Sequence, residues 1–232
     1  MKKLYIIICL VISMGALFLG YKNIEAKQSL SFNIKEYQNQ KGTGKTVKVD
    51  GIKDQKKGKK INTLLLEDSK AVLSPYDLND ENVTVMMDVN YSYVEESNQL
   101  IVIYKGIYNN KTAAHPTVFY AISNIDLSKA KRIDDSNNID IKKLTKAIQE
   151  GKFTVIAESD ELKQAQKEYL LSISSKDYNQ MFRNINFKEK NGKIILPEVF
   201  LIKKENKTTV ILPTFHALGD YAEIEVNTKD VQ

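Results

Sequence analysis

The chain has 232 residues, 42% of them hydrophobic and 27% charged, with a formal net charge of +5. That length corresponds to one large domain or two small ones, with enough apolar material for a core that needs no crosslink. The mild positive charge argues against a nucleic-acid binder, whose basic residues gather in one stripe. The single cysteine, Cys9, rules out a disulfide framework.

Lys2 and Lys3 precede an apolar run over residues 4–20, and residues 21–26 then turn polar and end at Ala26. Charge, apolar stretch and a small residue at a cut make the order of a secretory signal. The run of 17 residues also reaches the lower limit for spanning a bilayer, so an uncleaved anchor is the competing expectation. Either way Lys2 and Lys3 stay inside and the chain beyond Gly20 goes out. Cys9 sits within the apolar run and reads as a small membrane-buried residue. With only three residues ahead of the run, any sensing role is expected to end outside or to pass through a second protein. Loss of residues 1–26 removes three lysines and one glutamate and leaves a charge of +3.

Residues 27–45 are polar and read as a tether or an early edge strand. Residues 45–52 alternate around Val47 and Val49 and read as a strand. Asp54 is placed to cap a helix over residues 55–73, where Ile61, Leu64, Leu65, Asp68 and Val72 fall near helical spacing and Pro75 closes the segment. The five lysines in residues 53–60 read as a solvated face at the start of this helix, or as a contact for an anionic wall polymer or lipid headgroup.

Residues 83–93 carry the clearest strand signal. Val83, Val85, Met87, Val89, Tyr91 and Tyr93 share one face, and Thr84, Asp88, Asn90 and Ser92 share the other. Residues 95–98 supply a turn, and residues 100–108 and 117–127 complete a meander. Residues 140–150 read as a helix with Ile141, Leu144 and Ile148 on one stripe. Ser159 caps a second helix, with Leu162, Ala165, Tyr169 and Ile173 expected on its inner face. Residues 194–203 and 207–212 form a hairpin around Glu205 and Asn206, and residues 221–226 give a last strand. The expected fold is α+β, an antiparallel sheet with helices packed on one side. The leader spans 1–26, the tether 27–45 and the extracytoplasmic α+β domain 46–232.

Catalytic patterns are sparse. Gly44-Lys45-Thr46 has the end of a phosphate-binding loop, but Asn39 stands where the first glycine belongs, and a strand comes next instead of a helix. No Gly-x-Ser-x-Gly elbow occurs. The adjacent acids Glu95-Glu96 and Asp134-Asp135 sit in turn-like surroundings and read as surface. Four Asn-x-Ser/Thr sequons, at Asn82, Asn90, Asn110 and Asn206, read as chance matches in a lysine-, isoleucine- and asparagine-rich, bacterial-looking composition. The two histidines, His115 and His216, lie far apart in sequence without metal-site spacing and read first as ordinary hydrogen-bonding side chains. Were they to meet in space, they would merit a metal test. Of the 12 tyrosines, Tyr91, Tyr93, Tyr104, Tyr108 and Tyr120 fall on the meander, where cross-strand packing and ligand contact are both open to them.

Val49-Asp50-Gly51-Ile52 with Lys60-Ile61-Asn62 after it resembles the opening strand and helix of a bacterial extracytoplasmic module. That module lies beside the catalytic domain of some peptidoglycan deacetylases and forms the outer part of lysozyme-sensing anti-sigma factors. Ala113-Ala114-His115-Pro116, Phe119-Tyr120 and Asn124-Ile125-Asp126-Leu127 resemble its middle, and residues 212–219 resemble its closing proline-containing strand and turn, with His216 in a tyrosine position. The likeness covers residues 47–226. Ala113 departs from the usual glycine and residues 128–131 from the usual turn. The deacetylase metal-binding motifs and the anti-sigma cytoplasmic part are absent.

The resemblance implies a noncatalytic binding module whose ligand is cell-wall material or a secreted protein such as lysozyme, with no cofactor and no nucleic acid. His115, Pro116, Tyr120 and His216 are the expected ligand-binding residues. No catalytic residue or metal ligand is assigned. The competing expectations are a metal-dependent wall-modifying hydrolase built on His115 and His216, and a structural partner of another membrane protein. Oligomeric state is left open.

Overall fold

The computed structural model describes residues 29–39 and 42–232. The expected leader, residues 1–26, lies outside them.

β1 (Ser31–Asn39) and β2 (Gly42–Asp50) pair antiparallel in register from Ser31–Asp50 to Asn39–Gly42. The stretch read as a tether or edge strand is thus strand over most of its described length. Its polar sequence hides two tertiary anchors. Phe32 packs its ring 5.5 Å from Tyr91 and 5.2 Å from Tyr93. The Tyr37 hydroxyl lies 2.8 Å from the Ser69 hydroxyl.

α1 (Gln55–Leu73) begins where the sequence places it, with the Asp54 carboxylate accepting the Lys57 N–H at 3.0 Å. Its buried stripe includes Ile61, Leu65, Asp68 and Val72. β3 (Val83–Val94), β4 (Gln99–Asn110), β5 (Thr117–Asp126) and the short β6 (Lys131–Arg132) form an antiparallel sheet in that order. Its inner face buries Met87, Val89, Leu100, Tyr104, Ala121 and Ile125 in one core with α1 and β2. The alternation expected along β3 holds at Met87 and Val89. It lapses at Tyr91, which is 42% exposed and donates its hydroxyl to the Phe32 carbonyl at 3.1 Å.

Two salt-bridged or hydrogen-bonded acids are buried at the edges of this core. Asp68 receives Arg132 Nε at 2.7 Å and the Ser123 hydroxyl at 2.6 Å, which ties α1 to β5 and β6. Asp135 receives the Asn124 amide at 3.1 Å and the Lys203 N–H at 3.0 Å.

The second half holds α2 (Ile141–Gln149), β7 (Phe153–Ile156), α3 (Asp160–Ser172) and α4 (Ser175–Met181). A small hairpin comes next, β8 (Lys188–Lys190) with β9 (Lys193–Ile195), and then β10 (Phe200–Lys204), β11 (Lys207–Pro213) and β12 (Tyr221–Asn227). These last strands and β7 make a second antiparallel sheet ordered β10-β11-β12-β7. One face packs Val210, Leu212, Ala222, Ile224 and Val226 against Leu144, Ile148, Leu170 and Tyr178 of the helices. The other face sends Phe200, Ile202 and Ile211 into the first core. The second sheet is therefore buried on both sides, which explains the unbroken burial from Thr208 to Leu212.

The class is α+β, with antiparallel sheets and helices against one face of each. Two four-stranded sheets and two separate hairpins stand where one sheet was expected, because the chain leaves the meander after Arg132 and builds a separate sheet beneath α2–α4. The single strand expected over 194–203 is split between β9 and β10, since Pro197 has no N–H to give a ladder. The inner face of α3 is also shifted. Gln166 and Leu170 are its buried residues, while Ala165 and Tyr169 are only half-buried. Gln166 is polar and escapes a hydropathy reading. It is buried because its amide donates to the Leu218 and Tyr221 carbonyls at 2.8 and 3.0 Å.

A seam joining the two histidine loops

β5 of the meander and β12 of the second sheet run beside each other, and three residue pairs bridge them. At the open end His115, in the loop between β4 and β5, meets His216, in the turn between β11 and β12. Their rings are nearly parallel, at 16°, with centroids 5.4 Å apart. Next, the Asp220 carboxylate accepts the Val118 N–H at 2.7 Å. Deeper in, the Tyr120 and Tyr221 rings lie 4.7 Å apart at 52°.

Local backbone chemistry builds the His216 side. Residues 216–218 form one 3-10 turn, closed by Gly219 in the left-handed region at φ 89°. Glycine adopts that conformation without a Cβ clash. Asp220 comes next, also left-handed at φ 67°. This double reversal turns the Asp220 carboxylate back toward its own loop, where Oδ1 and Oδ2 lie 3.1 and 3.2 Å from His216 Nδ1. Strain of this kind persists only where the surroundings fix it, and here the Val118 N–H, the His216 ring and the Gln166 clamp do so. Asp220 is the residue that sequence reading missed. The signal was present as His-x-x-x-Asp across a glycine turn, but its meaning depends on Val118, 102 positions away.

The structure brings two of the four expected site residues together directly. His115 and His216 are exposed and meet. Pro116 is exposed and leads into β5. Tyr120 is half-buried on β5 against Tyr221. Burial pushes the Tyr120 hydroxyl above its ordinary pKa, and the nearby Glu223 charge and Tyr221 add to it. The Lys105 ammonium stands 5.5 Å from the Tyr221 ring centroid, and the hydrogen bond it shares with Tyr221 raises its pKa. Burial also raises the Glu223 carboxyl.

A further aromatic group backs the histidine end. Tyr76 stacks on Tyr108 at 4.7 Å and lies 5.4 Å from Phe119. Burial, with Tyr108 and Asp220 nearby, pushes the Tyr76 hydroxyl up to about 12. On the other flank Phe215 is 66% exposed with its ring 5.0 Å from Tyr169.

Between the sheets a hollow of about 140 Å³ is lined by Tyr120, Pro197, Phe200, Leu212, Asp220 and Tyr221 among others. It is too small for a drug-sized ligand, whose sites run to about 300 Å³ and more. A larger open hollow of about 490 Å³ lies elsewhere, bordered by Lys53, Lys57, Tyr93 and Ser128, with Lys57 Nζ donating to the Ser128 carbonyl at 2.7 Å. It has no histidine in its lining. Among the described residues no group of three or more His, Cys, Asp or Glu side chains is placed to hold a metal ion. No described helix is long and apolar enough to cross a membrane.

The seam can accept and donate hydrogen bonds through two imidazoles and a carboxylate, and it offers aromatic surface on both flanks.

No family model matches the chain, and no curated protein matches it. Among solved structures it is similar to a DUF3298 family protein from Pseudomonas aeruginosa PAO1, at 8% identity and a TM-score of 0.41. That match covers 90% of this chain and 96% of the other.

Proposed function

We propose that the chain is a noncatalytic extracytoplasmic binding module of a bacterial cell envelope. The seam at His115 and His216 is its recognition surface, and its ligand is cell-wall material or a secreted protein such as lysozyme. In this reading the module is the kind found beside peptidoglycan deacetylases and in lysozyme-sensing anti-sigma factors, and the leader brings it to the outer side of the membrane.

One observation carries the reading. The only two histidines of the chain, 101 positions apart, come from loops of two different sheets and meet on one exposed end of the molecule. Packing does not require this, since both side chains lie outside the two cores. Exposed polar and aromatic residues held on rigid sheets are the arrangement expected of a binding surface. A shallow seam with tyrosine rings and hydrogen-bonding edges suits an extended polymer or a protein face better than an enclosed small molecule.

The test is a pulldown of the purified protein with peptidoglycan and, separately, with lysozyme. Retention that is lost on His115→Ala and His216→Ala supports the reading. Retention on neither material removes both named ligands.

A further inference from the structure

We infer that the His115–His216 seam is a two-histidine site for a borderline divalent transition-metal ion such as Zn²⁺, with Asp220 as the residue that positions His216. This inference goes beyond the binding-module reading and does not depend on which macromolecule is bound.

The geometry begins with Asp220. Its carboxylate oxygens face His216 Nδ1 at 3.1 and 3.2 Å, and its Oδ2 is itself held by the Val118 N–H at 2.7 Å. A carboxylate is acceptor-only, so Nδ1 of His216 carries the proton. The lone pair then belongs to Nε2, on the opposite edge of the ring. A carboxylate that fixes the tautomer and the orientation of a histidine ring is the outer-shell partner that metal-ligating histidines use.

The second ligand is at the right range. Two imidazoles that share one ion, each bound at about 2.1 Å with a near-tetrahedral angle, have ring centroids about 5 Å apart. The observed separation is 5.4 Å. Both side chains are exposed. Imidazole torsions about the last side-chain bond are broad. From the nearly parallel arrangement, at 16°, the His115 ring has to turn to aim a nitrogen beside Nε2 of His216.

With Asp220 engaged in orienting rather than ligating, the chain supplies two nitrogens. The remaining positions of a four-coordinate ion are open to water or to a donor from whatever docks on the seam. Imidazole suits zinc, copper and nickel over magnesium or calcium, which prefer oxygen.

The experiment is titration of the full chain in detergent with Zn²⁺ alone at neutral pH by calorimetry, beside His115→Ala, His216→Ala and Asp220→Asn. One saturable ion per chain is expected. Each histidine variant should lose at least tenfold in affinity, and Asp220→Asn should lose about 10- to 100-fold. Circular dichroism confirms that each variant keeps its fold. In parallel, the imidazole ¹⁵N resonances of both histidines should move on Zn²⁺ addition, with His216 Nε2 losing its free-lone-pair shift. Absence of saturable binding overturns the inference, as does affinity that survives loss of both histidines or that depends on His216 alone.

Discussion

Gln166 on α3 donates its side-chain amide to the Tyr221 carbonyl at 3.0 Å, across 55 positions, and to the Leu218 carbonyl at 2.8 Å. One buried side chain thus holds both ends of the turn that presents His216 and Asp220. Its own Oε1 is buried without a partner, so the residue already carries a desolvation cost for the sake of those two bonds. Gln166→Ala should destabilise the fold by about 2–3 kcal/mol, because two carbonyls lose their donor where water enters poorly. Urea unfolding measures the loss. Retention on the wall or protein ligand should fall as well, because the His216 turn is no longer held against α3.

Asp220 gives a second, more graded expectation. Its side chain is 11% exposed, and it accepts from Val118 while facing His216. Asp220→Ala leaves a backbone N–H of β5 without its charged acceptor, at a cost of about 1.5–3 kcal/mol. Asp220→Asn keeps an oxygen for Val118 and should cost about half as much. Thermal unfolding of the two variants separates them. Equal loss in both would mean that the charge facing His216, and not the bond to Val118, carries the stability.

Gly106 sets the spacing between β3, β4 and β5. A Cβ there would lie 2.1 Å from the Met86 carbonyl oxygen and 2.4 Å from Phe119 Cζ. The ring could turn aside, but the carbonyl belongs to the neighbouring strand and cannot. Gly106→Ala should cost about 3 kcal/mol, toward the upper end for overpacking. Adding Phe119→Leu should recover only a part. Full recovery in the double variant, read from denaturant midpoints, would place the whole conflict on the ring.

Local chemistry made much of this molecule readable in advance. α1 was legible from the Asp54 cap and the Ile61–Leu65–Val72 spacing, and the meander from period-two alternation around Met87 and Val89. Ser159 was legible as a cap, its hydroxyl accepting the Leu162 N–H at 3.1 Å. The parts that stayed hidden depend on partners far along the chain. β1 is polar and is a strand because Phe32 and Tyr37 find Tyr91, Tyr93 and Ser69. β7 is only four residues long and owes its place to pairing with β12. His115, Pro116, Tyr120 and His216 could be named one by one. Their meeting could not be inferred, since it arises from β5 and β12 lying side by side, and no local period encodes that. Asp220 was hidden for the same reason.

Asp68 ties stability to pH. It is fully buried, and burial outweighs Arg132 and Ser123 to push its carboxyl up from 3.8 to about 6. The folded chain then holds this proton more tightly than the unfolded chain. The associated stability is fully present below about pH 4 and is lost as pH rises through 6. A shift of about two units corresponds to about 3 kcal/mol. Asp68→Asn cannot titrate, so that part of the slope between pH 4 and 7 should vanish. Asp135 and Glu223, also raised by burial, keep their smaller share in the same direction. The variant's deficit should be largest near pH 4 and should shrink as pH rises toward 7, because only the parent loses stability on ionisation; the offset that remains belongs to Arg132, which at 13% side-chain exposure keeps Glu67 at 3.2 Å as its charged partner. Urea unfolding of both proteins at unit steps from pH 4 to 7 measures offset and slope separately. Parallel curves would assign the proton to another group and leave Asp68 ionised across the range, held so by Arg132.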